Sequence, residues 1–265
     1  MGADEIRKLL ELKGGDGQGG LPLEDMKAKI NRLAHIYYPN ALSILIGGSY
    51  INGKMKGNSD VDIIILIEKT KQYHRRCLVF ENTAFDIQMF DPKYLPVMIA
   101  GARRKGVGAT LQLFASAQIL TDRSGKTASL QTNTREAIAS GPQGWDPQTL
   151  AGLRFQITEL LIELASNNDQ QEVAACGLSL FSLLINILMP MNGGWLETGK
   201  FIPRRLPEGG ELGFAALRGA YACLLAGDPH PLIIFALETL KPVGGPLWDG
   251  HLREGRFADF PLRRE

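Results

Sequence analysis

The stretch DVDIIILIE, residues 60–68, limits the possible folds more than any other part of the sequence. After Asp62 it is almost continuously apolar and rich in isoleucine, which predicts a central β-strand covered on both faces. Asp60 and Asp62 stand two residues apart at the start of this strand, so both side chains are expected on one face. Carboxylates at a buried strand are unfavourable unless a cation balances them, so this strand is expected to carry a functional or paired acid.

A second apolar run, ALSILIGG at residues 41–48, predicts a shorter strand that ends at paired glycines. The residues that follow, through Lys54, look like the start of a phosphate-binding P-loop. Met55, however, stands where that motif needs a Ser or Thr to ligate magnesium. The loop also leads into a strand, whereas a P-loop leads into a helix N-terminus. The sequence therefore argues against a P-loop, and Lys54 and Lys56 are either phosphate contacts or solvated loop residues.

The segment HRRCLVFENTAFDIQMFD, residues 74–91, predicts a β-hairpin that turns around residues 81–83. Asp86 lies between apolar neighbours on its second strand. Asp60, Asp62 and Asp86 on one face would form an oxygen-ligand site suited to Mg²⁺, and two such ions would clamp the attacking and leaving oxygens of a phosphoryl transfer. The alternative is structural: Asp60 starts the strand, Asp62 faces solvent and Asp86 pairs with an arginine.

These residues resemble the signature of the DNA polymerase β-like nucleotidyltransferase superfamily. In that signature a strand ends in Gly-Ser, here Gly48-Ser49, and Asp-x-Asp begins the next strand, here at residues 60–62. A third acid on a later strand corresponds to Asp86. Gly53 and Ser59 also match the form that is common in enzymes acting on small molecules.

The resemblance implies a metal-dependent transfer of a nucleotide. Gly48, Ser49 and Ser59 would bind the phosphates of a nucleoside triphosphate, expected to be ATP. The three acids would be catalytic and would ligate two Mg²⁺ ions, and Asp86 would also help to deprotonate the acceptor hydroxyl. The acceptor would receive a nucleoside monophosphate, expected to be AMP, and pyrophosphate would leave.

The second half of the chain has helical periodicity. The run from residue 146 to 165 begins with an Asp N-cap and a Pro at the first helical position, and three further stretches, 171–189, 211–226 and 230–240, also predict helices. The expected fold class is α+β, with a nucleotidyltransferase fold of mixed sheet and flanking helices before an α-helical bundle. The expected domains are an N-terminal helix and Gly-rich linker (1–20), a catalytic domain (21–140) and a helical domain (146–265).

The helical half resembles, less specifically, the bundle that follows the catalytic domain in aminoglycoside and lincosamide nucleotidyltransferases. Several of these enzymes meet the triphosphate with basic residues after a tryptophan-bearing loop, and GGWLETGKFIPRRL at residues 193–206 looks like that element. The resemblance implies that Lys200 binds nucleotide, with Arg204 or Arg205 as a second contact. Trp195 is expected to anchor the loop.

The basic side chains of this half keep a second interpretation. Lys200 and Arg204 are equally consistent with exposed bases near a helix end, where the helix dipole favours them. Arg154 lies inside an apolar helical run. It is either another nucleotide contact or a structural partner of Glu159 or Glu163.

The composition of the chain limits the classes of molecule that it is expected to bind. The net charge of +1 argues against a nucleic-acid partner, and the three isolated cysteines show no disulfide framework or zinc spacing. No uninterrupted apolar run reaches the length of a membrane span, so a cytoplasmic location is expected. The leading prediction is an enzyme that uses a nucleoside triphosphate and a small-molecule acceptor. The alternatives are an antitoxin-like enzyme that AMPylates a protein and a catalytically inactive nucleotide-binding protein.

Overall fold

The structure of the chain, a computed structural model, describes Glu11, residues 21–53 and residues 59–252. Most of the N-terminal helix and linker expected at residues 1–20 lies outside the described residues, as do Lys54, Met55 and Lys56. The chain divides into two compact units. The first takes the described residues up to Arg103 together with Gly108–Gly141, and the second takes Arg104–Val107 and the described residues from Pro142 onward.

The first unit is a mixed sheet flanked by helices. Within the described residues its strands are β1 (Ser43–Gly47), β2 (Val61–Leu66), β3 (His74–Phe80), β4 (Thr83–Phe90) and β5 (Gln118–Asp122). Its helices are α1 (Leu23–Tyr37), α2 (Gly48–Ile51), α3 (Leu95–Lys105, whose last two residues belong to the second unit), α4 (Ala109–Ser116) and α5 (Thr127–Ala139). The strand order is β3-β4-β2-β1-β5, in which β2 and β4 are parallel and the other neighbours antiparallel. The predicted α+β class and mixed sheet are confirmed.

Strand β2 lies at the centre of the sheet and is buried on both faces, as its isoleucine-rich sequence predicts. On one face Ile63 packs in a cluster with Ile30 of α1. On the other face Ile64 packs in a cluster with Phe114 of α4. Each of these four side chains is at most 1% exposed, and full burial of such a side chain contributes about 1.5–3 kcal/mol. The burial fixes β2, and with it the acids at its start.

The predicted hairpin is confirmed, and its turn is fixed by backbone geometry. Glu81 and Asn82, with φ of 45° and 58°, form a two-residue connection in which both residues have positive φ, as in a type I′ turn. Helix α1 also holds this turn. The Lys29 ammonium donates to the Glu81 carbonyl and to the Thr83 hydroxyl, both at 2.8 Å. Arg32 binds the Glu81 carboxylate through two nitrogens, at 2.8 and 2.6 Å. The register between β3 and β4 is therefore set at the turn.

A carboxylate at the end of β5 organises the start of α5. Asp122 accepts hydrogen bonds from the hydroxyls of Ser43 and Ser124, at 2.9 and 2.7 Å, and from the backbone N–H groups of Ser124, Gly125 and Thr127, each at 3.0 Å. Burial alone would raise the pKa of Asp122, but these hydrogen bonds outweigh it and hold the pKa well below its usual range. The ionised carboxylate thus ties β1, β5 and α5 together.

The second unit is helical. Within the described residues its helices are α6 (Pro147–Ser166), α7 (Gln170–Met191), α8 (Ile202–Arg205), α9 (Phe214–Leu225) and α10 (His230–Leu240). The predicted start of α6 is confirmed, because the Asp146 side chain accepts from the Thr149 backbone N–H at 2.9 Å and Pro147 is the first helical residue. The three later stretches predicted as helical correspond to α7, α9 and α10.

Helix α7 is long and apolar enough to cross a membrane by length and composition, with a mean hydropathy of 2.0 over 18 residues. Its side chains Leu180, Leu184 and Leu188 are fully buried in the core of the second unit. The core helix of a globular unit has the same profile, so this helix is weak evidence for a membrane span.

Candidate functional site

The glycine-serine pair and the first two acids lie at the same end of the sheet. Strands β1 and β2 are antiparallel neighbours, and Gly47 at the end of β1 lies opposite Asp62 near the start of β2. The one-turn helix α2 follows β1 directly, with Gly48 as its first residue and Ser49 as its second. Asp60 precedes β2, next to Ser59, and both are half-buried. The fold therefore brings together residues that lie 11 positions apart in sequence, from Ser49 to Asp60.

Gly48 touches the carboxylate of Asp62. Its φ is +67°, which side chains other than glycine rarely adopt, and a Cβ built on it would lie 1.7 Å from Asp62 Oδ2 and 2.6 Å from Asp62 Cγ. No side chain fits in that space. Glycine is therefore required here for two independent reasons, one conformational and one steric.

The second and third acids are neighbours across two parallel strands. Asp62 on β2 and Asp86 on β4 are paired in register, and paired strands lie about 4.8 Å apart. The two side chains consequently leave the same face of the sheet. Asp62 is half-buried, whereas Asp86 is only 4% exposed.

An arginine that the sequence did not single out neutralises Asp86. Arg75 on β3 donates from Nε to both carboxylate oxygens of Asp86, at 2.9 and 3.1 Å, and from Nη2 to Oδ2 at 2.6 Å. These hydrogen bonds raise the pKa of Arg75 further above its ordinary value. The Cys77 thiol also donates to Asp86 Oδ1, at 3.8 Å, and its pKa is raised by burial and by the negative charge of Asp86. The structural alternative for Asp86, a pair with an arginine, is thus what the structure contains.

A buried amide lies beside this pair. Gln88 follows Asp86 by two residues on β4, so it lies on the same face, and it is 9% exposed. Its Oε1 is buried and has no hydrogen-bond partner among the described residues. A buried carbonyl oxygen without a donor is unfavourable and calls for an explanation.

The all-oxygen donor set of the three acids fits magnesium in its chemistry. Among the described residues, however, no group of three or more His, Cys, Asp or Glu side chains is arranged to hold a metal ion. Both carboxylate oxygens of Asp86 accept hydrogen bonds from Arg75. The three acids thus match magnesium in donor chemistry, while the Asp86 carboxylate is paired with Arg75.

The basic residues expected to bind nucleotide lie around an aromatic ring in the second unit. Lys200 Nζ is 5.3 Å and the Arg204 guanidinium carbon 5.4 Å from the ring centre of Phe201. The Phe201 side chain is 43% exposed. The cluster is a surface feature with two cations on one ring, and its role in nucleotide binding stays a prediction.

The remaining candidates of this unit have structural partners. Arg154 donates from Nε to the Gly245 carbonyl at 2.7 Å and from Nη2 to the Gly244 carbonyl at 2.5 Å, so its guanidinium caps the chain after α10. Arg205 lies 3.6 Å from the Glu197 carboxylate, whose pKa is raised by burial and partly lowered by that arginine. Trp195 is 8% exposed, in keeping with an anchoring role for its loop.

Residues 28–97 match the family model for a nucleotidyltransferase domain. This stretch runs from α1 into α3 and contains the glycine-serine pair and all three acids. No curated protein sequence matches the chain. One similar solved structure is a nucleotidyltransferase-like protein from Exiguobacterium sibiricum 255-15, with 10% sequence identity, 82% of this chain and 75% of that chain covered, and a TM-score of 0.45. The family match thus covers residues 28–97 and shows that this stretch is similar to a nucleotidyltransferase domain.

Proposed function

We propose that this protein transfers a nucleoside monophosphate, first of all AMP from ATP, to a hydroxyl group of a small-molecule acceptor and releases pyrophosphate. The observation that carries the proposal is the contact between Gly48 and the Asp62 carboxylate. It joins the two parts of the signature, the glycine-serine pair and the paired acids, in one place on the sheet. Asp86 extends the same face by its register with Asp62.

Each residue of the site has a distinct task. Gly48 lets a phosphate approach the backbone because it has no side chain, and the Ser49 and Ser59 hydroxyls donate hydrogen bonds to phosphate oxygens. Asp60 and Asp62 would hold magnesium, which when bound neutralises charge on the triphosphate and on the leaving pyrophosphate. Asp86 accepts the proton of the acceptor hydroxyl.

Lys200 and Arg204 are the further nucleotide-binding residues of this proposal, by the pattern of the sequence around Trp195. The near-zero net charge favours a small acceptor over a nucleic acid. A cytoplasmic location is part of the proposal, because ATP and magnesium are both abundant there.

Thermal unfolding tests the nucleotide site without knowledge of the acceptor. Wild type, Asp62→Ala and the control Asp249→Ala, which removes an exposed carboxylate from the second unit, are melted with each of ATP, GTP, CTP and UTP, with and without Mg²⁺. A ligand at 100 times its Kd stabilises the folded state by about 2.7 kcal/mol. The expected result is a magnesium-dependent shift in wild type and Asp249→Ala that is lost in Asp62→Ala.

Pyrophosphate release then tests transfer. Release that depends on an added small-molecule hydroxyl supports the proposal, whereas labelling of a protein by nucleotide would replace it with the AMPylating alternative. A nucleotide-induced shift in the unfolding temperature without any transfer would support the alternative of a catalytically inactive nucleotide-binding protein. No shift with any nucleotide, or a shift that survives in Asp62→Ala, would overturn the proposed site.

A further inference from the structure

The ion pair between Arg75 and Asp86 joins an exposed cation to a buried anion. The Asp86 side chain is 6% exposed and the Arg75 side chain 60% exposed. Arg75 lies on β3, an edge strand of the sheet, so its side chain borders water. The guanidinium can leave the carboxylate by rotation of its own side chain, without any change in the backbone of the buried strands.

The strand register shows that Arg75 reaches Asp86 diagonally. In the β3–β4 pair, Arg75 lies directly opposite Gln88, and Cys77 lies directly opposite Asp86. Directly opposite side chains are nearer to each other than diagonal ones. Gln88 is thus within the reach of Arg75, yet its buried Oε1 has no donor among the described residues.

The two acceptors on β4 therefore compete for one guanidinium. In the present arrangement Asp86 takes three hydrogen bonds from Arg75. A divalent cation at Asp86 would repel the guanidinium and would compete with it for the carboxylate oxygens. Arg75 then needs another acceptor nearby, and the Gln88 amide oxygen is the buried acceptor that stands directly across from it.

We infer that Arg75 is a displaceable counter-cation of Asp86, and that Gln88 Oε1 is the second position of its guanidinium. Arg75 donates hydrogen bonds to Asp86 until a divalent cation and a nucleotide bind at the site. It then donates to Gln88. This inference rests on the proposed function, because it assumes that Asp86 takes part in a metal site. It assigns a role to two residues, Arg75 and Gln88, that the nucleotidyltransferase signature does not include.

Direct metal binding tests the inference without activity. Mn²⁺ binding is measured by the electron paramagnetic resonance signal of the free ion, with and without ATP. The variants are Arg75→Gln, Gln88→Leu, Asp62→Ala and a matched control, Arg76→Gln. Arg76 is the next residue on β3 and lies with its guanidinium 4.6 Å from the ring centre of Tyr37. Its removal reports the general effect of losing one positive charge near the site.

We expect Arg75→Gln to bind Mn²⁺ at least tenfold more tightly than wild type, and Arg76→Gln to stay within about twofold. Gln88→Leu is expected to bind Mn²⁺ several-fold more weakly, because Arg75 has lost its second acceptor. If Arg75→Gln and Arg76→Gln bind alike, Arg75 is not the counter-cation and the inference fails, even where wild type binds Mn²⁺ through Asp62. If neither wild type nor Arg75→Gln binds Mn²⁺, the proposed metal site fails with it.

A second measurement keeps the test independent of variant stability. The Nε–H resonance of Arg75 in wild type, assigned by its absence in Arg75→Gln, is followed by nuclear magnetic resonance during addition of Mg²⁺ and ATP. A shift in wild type that differs from the shift in Gln88→Leu supports the exchange of partners. A resonance that stays in place while Mg²⁺ and ATP bind overturns it.

Discussion

Replacement of Gly48 by alanine separates the two reasons for a glycine beside Asp62. Gly125, in the turn between β5 and α5, has the same φ of +67°, and nothing lies within 4 Å of a Cβ built there. Gly125→Ala therefore introduces only the conformational strain. Gly48→Ala introduces the same strain and in addition drives a methyl group into the Asp62 carboxylate.

The two effects differ in size. An L-residue in the left-handed region lowers the free energy of unfolding by about 1–2 kcal/mol, and this cost is the same in both variants. At Gly48 the Cβ would lie 1.7 Å from Asp62 Oδ2, so the carboxylate has to move. Overpacking of this kind destabilises by roughly another 1–3 kcal/mol. Since 1 kcal/mol lowers the Tm by about 2–4 °C in a domain of this size, Gly48→Ala is expected to melt several degrees below Gly125→Ala.

The assay is thermal unfolding of both variants with and without magnesium and the preferred nucleotide. Gly125→Ala is expected to keep the full ligand-induced shift, because its substitution is remote from the three acids in sequence and adds no clash. Gly48→Ala is expected to lose it, because its displaced carboxylate no longer holds its position. Equal Tm values together with equal ligand shifts would refute the reasoning about Gly48.

Three further predictions concern other residues. Because the pKa of Asp122 is lowered in the folded state, its stabilisation is present above the unfolded pKa of about 4 and is lost as the pH falls below it. In urea unfolding, Asp122→Asn is expected to lose about 2–4 kcal/mol at pH 7 and less at pH 3; an unchanged difference would contradict the ionised network. Arg154→Leu is expected to lower the free energy of unfolding by roughly 1–2 kcal/mol and to leave the nucleotide Kd unchanged in calorimetry, whereas a raised Kd would make Arg154 a phosphate contact. Lys200→Ala is expected to raise that Kd about tenfold, or about 1.4 kcal/mol, without a change in the Tm of the free protein; an unchanged Kd would return Lys200 to a structural role.

The sequence predicted those elements whose burial leaves a strong local pattern. Strand β2 is recognisable because both of its faces are covered, and α6 because Asp146 and Pro147 mark its start. The one-turn helix α2 was not predicted, since four residues are too few for helical periodicity to show. Helices α3 to α5 and strand β5 were not individually predicted either. In α3 only Leu95 is buried, so no apolar stripe marks that helix.

In the candidate site, too, features with a local sequence pattern were predicted and features that depend on contacts between strands were not. The alternation of side chains along a strand predicts Asp60 and Asp62 on one face, and the in-register pairing of β2 with β4 places Asp86 beside Asp62. The pair between Arg75 and Asp86 was not predicted as such, because it depends on the register across the hairpin and on a diagonal reach. The Gln88 amide oxygen, which has no donor in the part of the chain that the structure describes, was likewise not predicted, because a glutamine between apolar residues carries no signal until its surroundings are known.

The exposed position of Arg75 and the buried position of Asp86 have a consequence for the descent of such proteins. A buried carboxylate such as Asp86 is costly to desolvate, so a lineage that no longer needs it for catalysis has little reason in stability to keep it. Its members would retain the sheet, the turn held by α1 and the Asp122 network, while Asp86 and Arg75 would be replaced independently of each other. Under the proposed function, an acid at position 86 together with an arginine at position 75 would mark the catalytically active members, whereas the architecture would be common to active and inactive members.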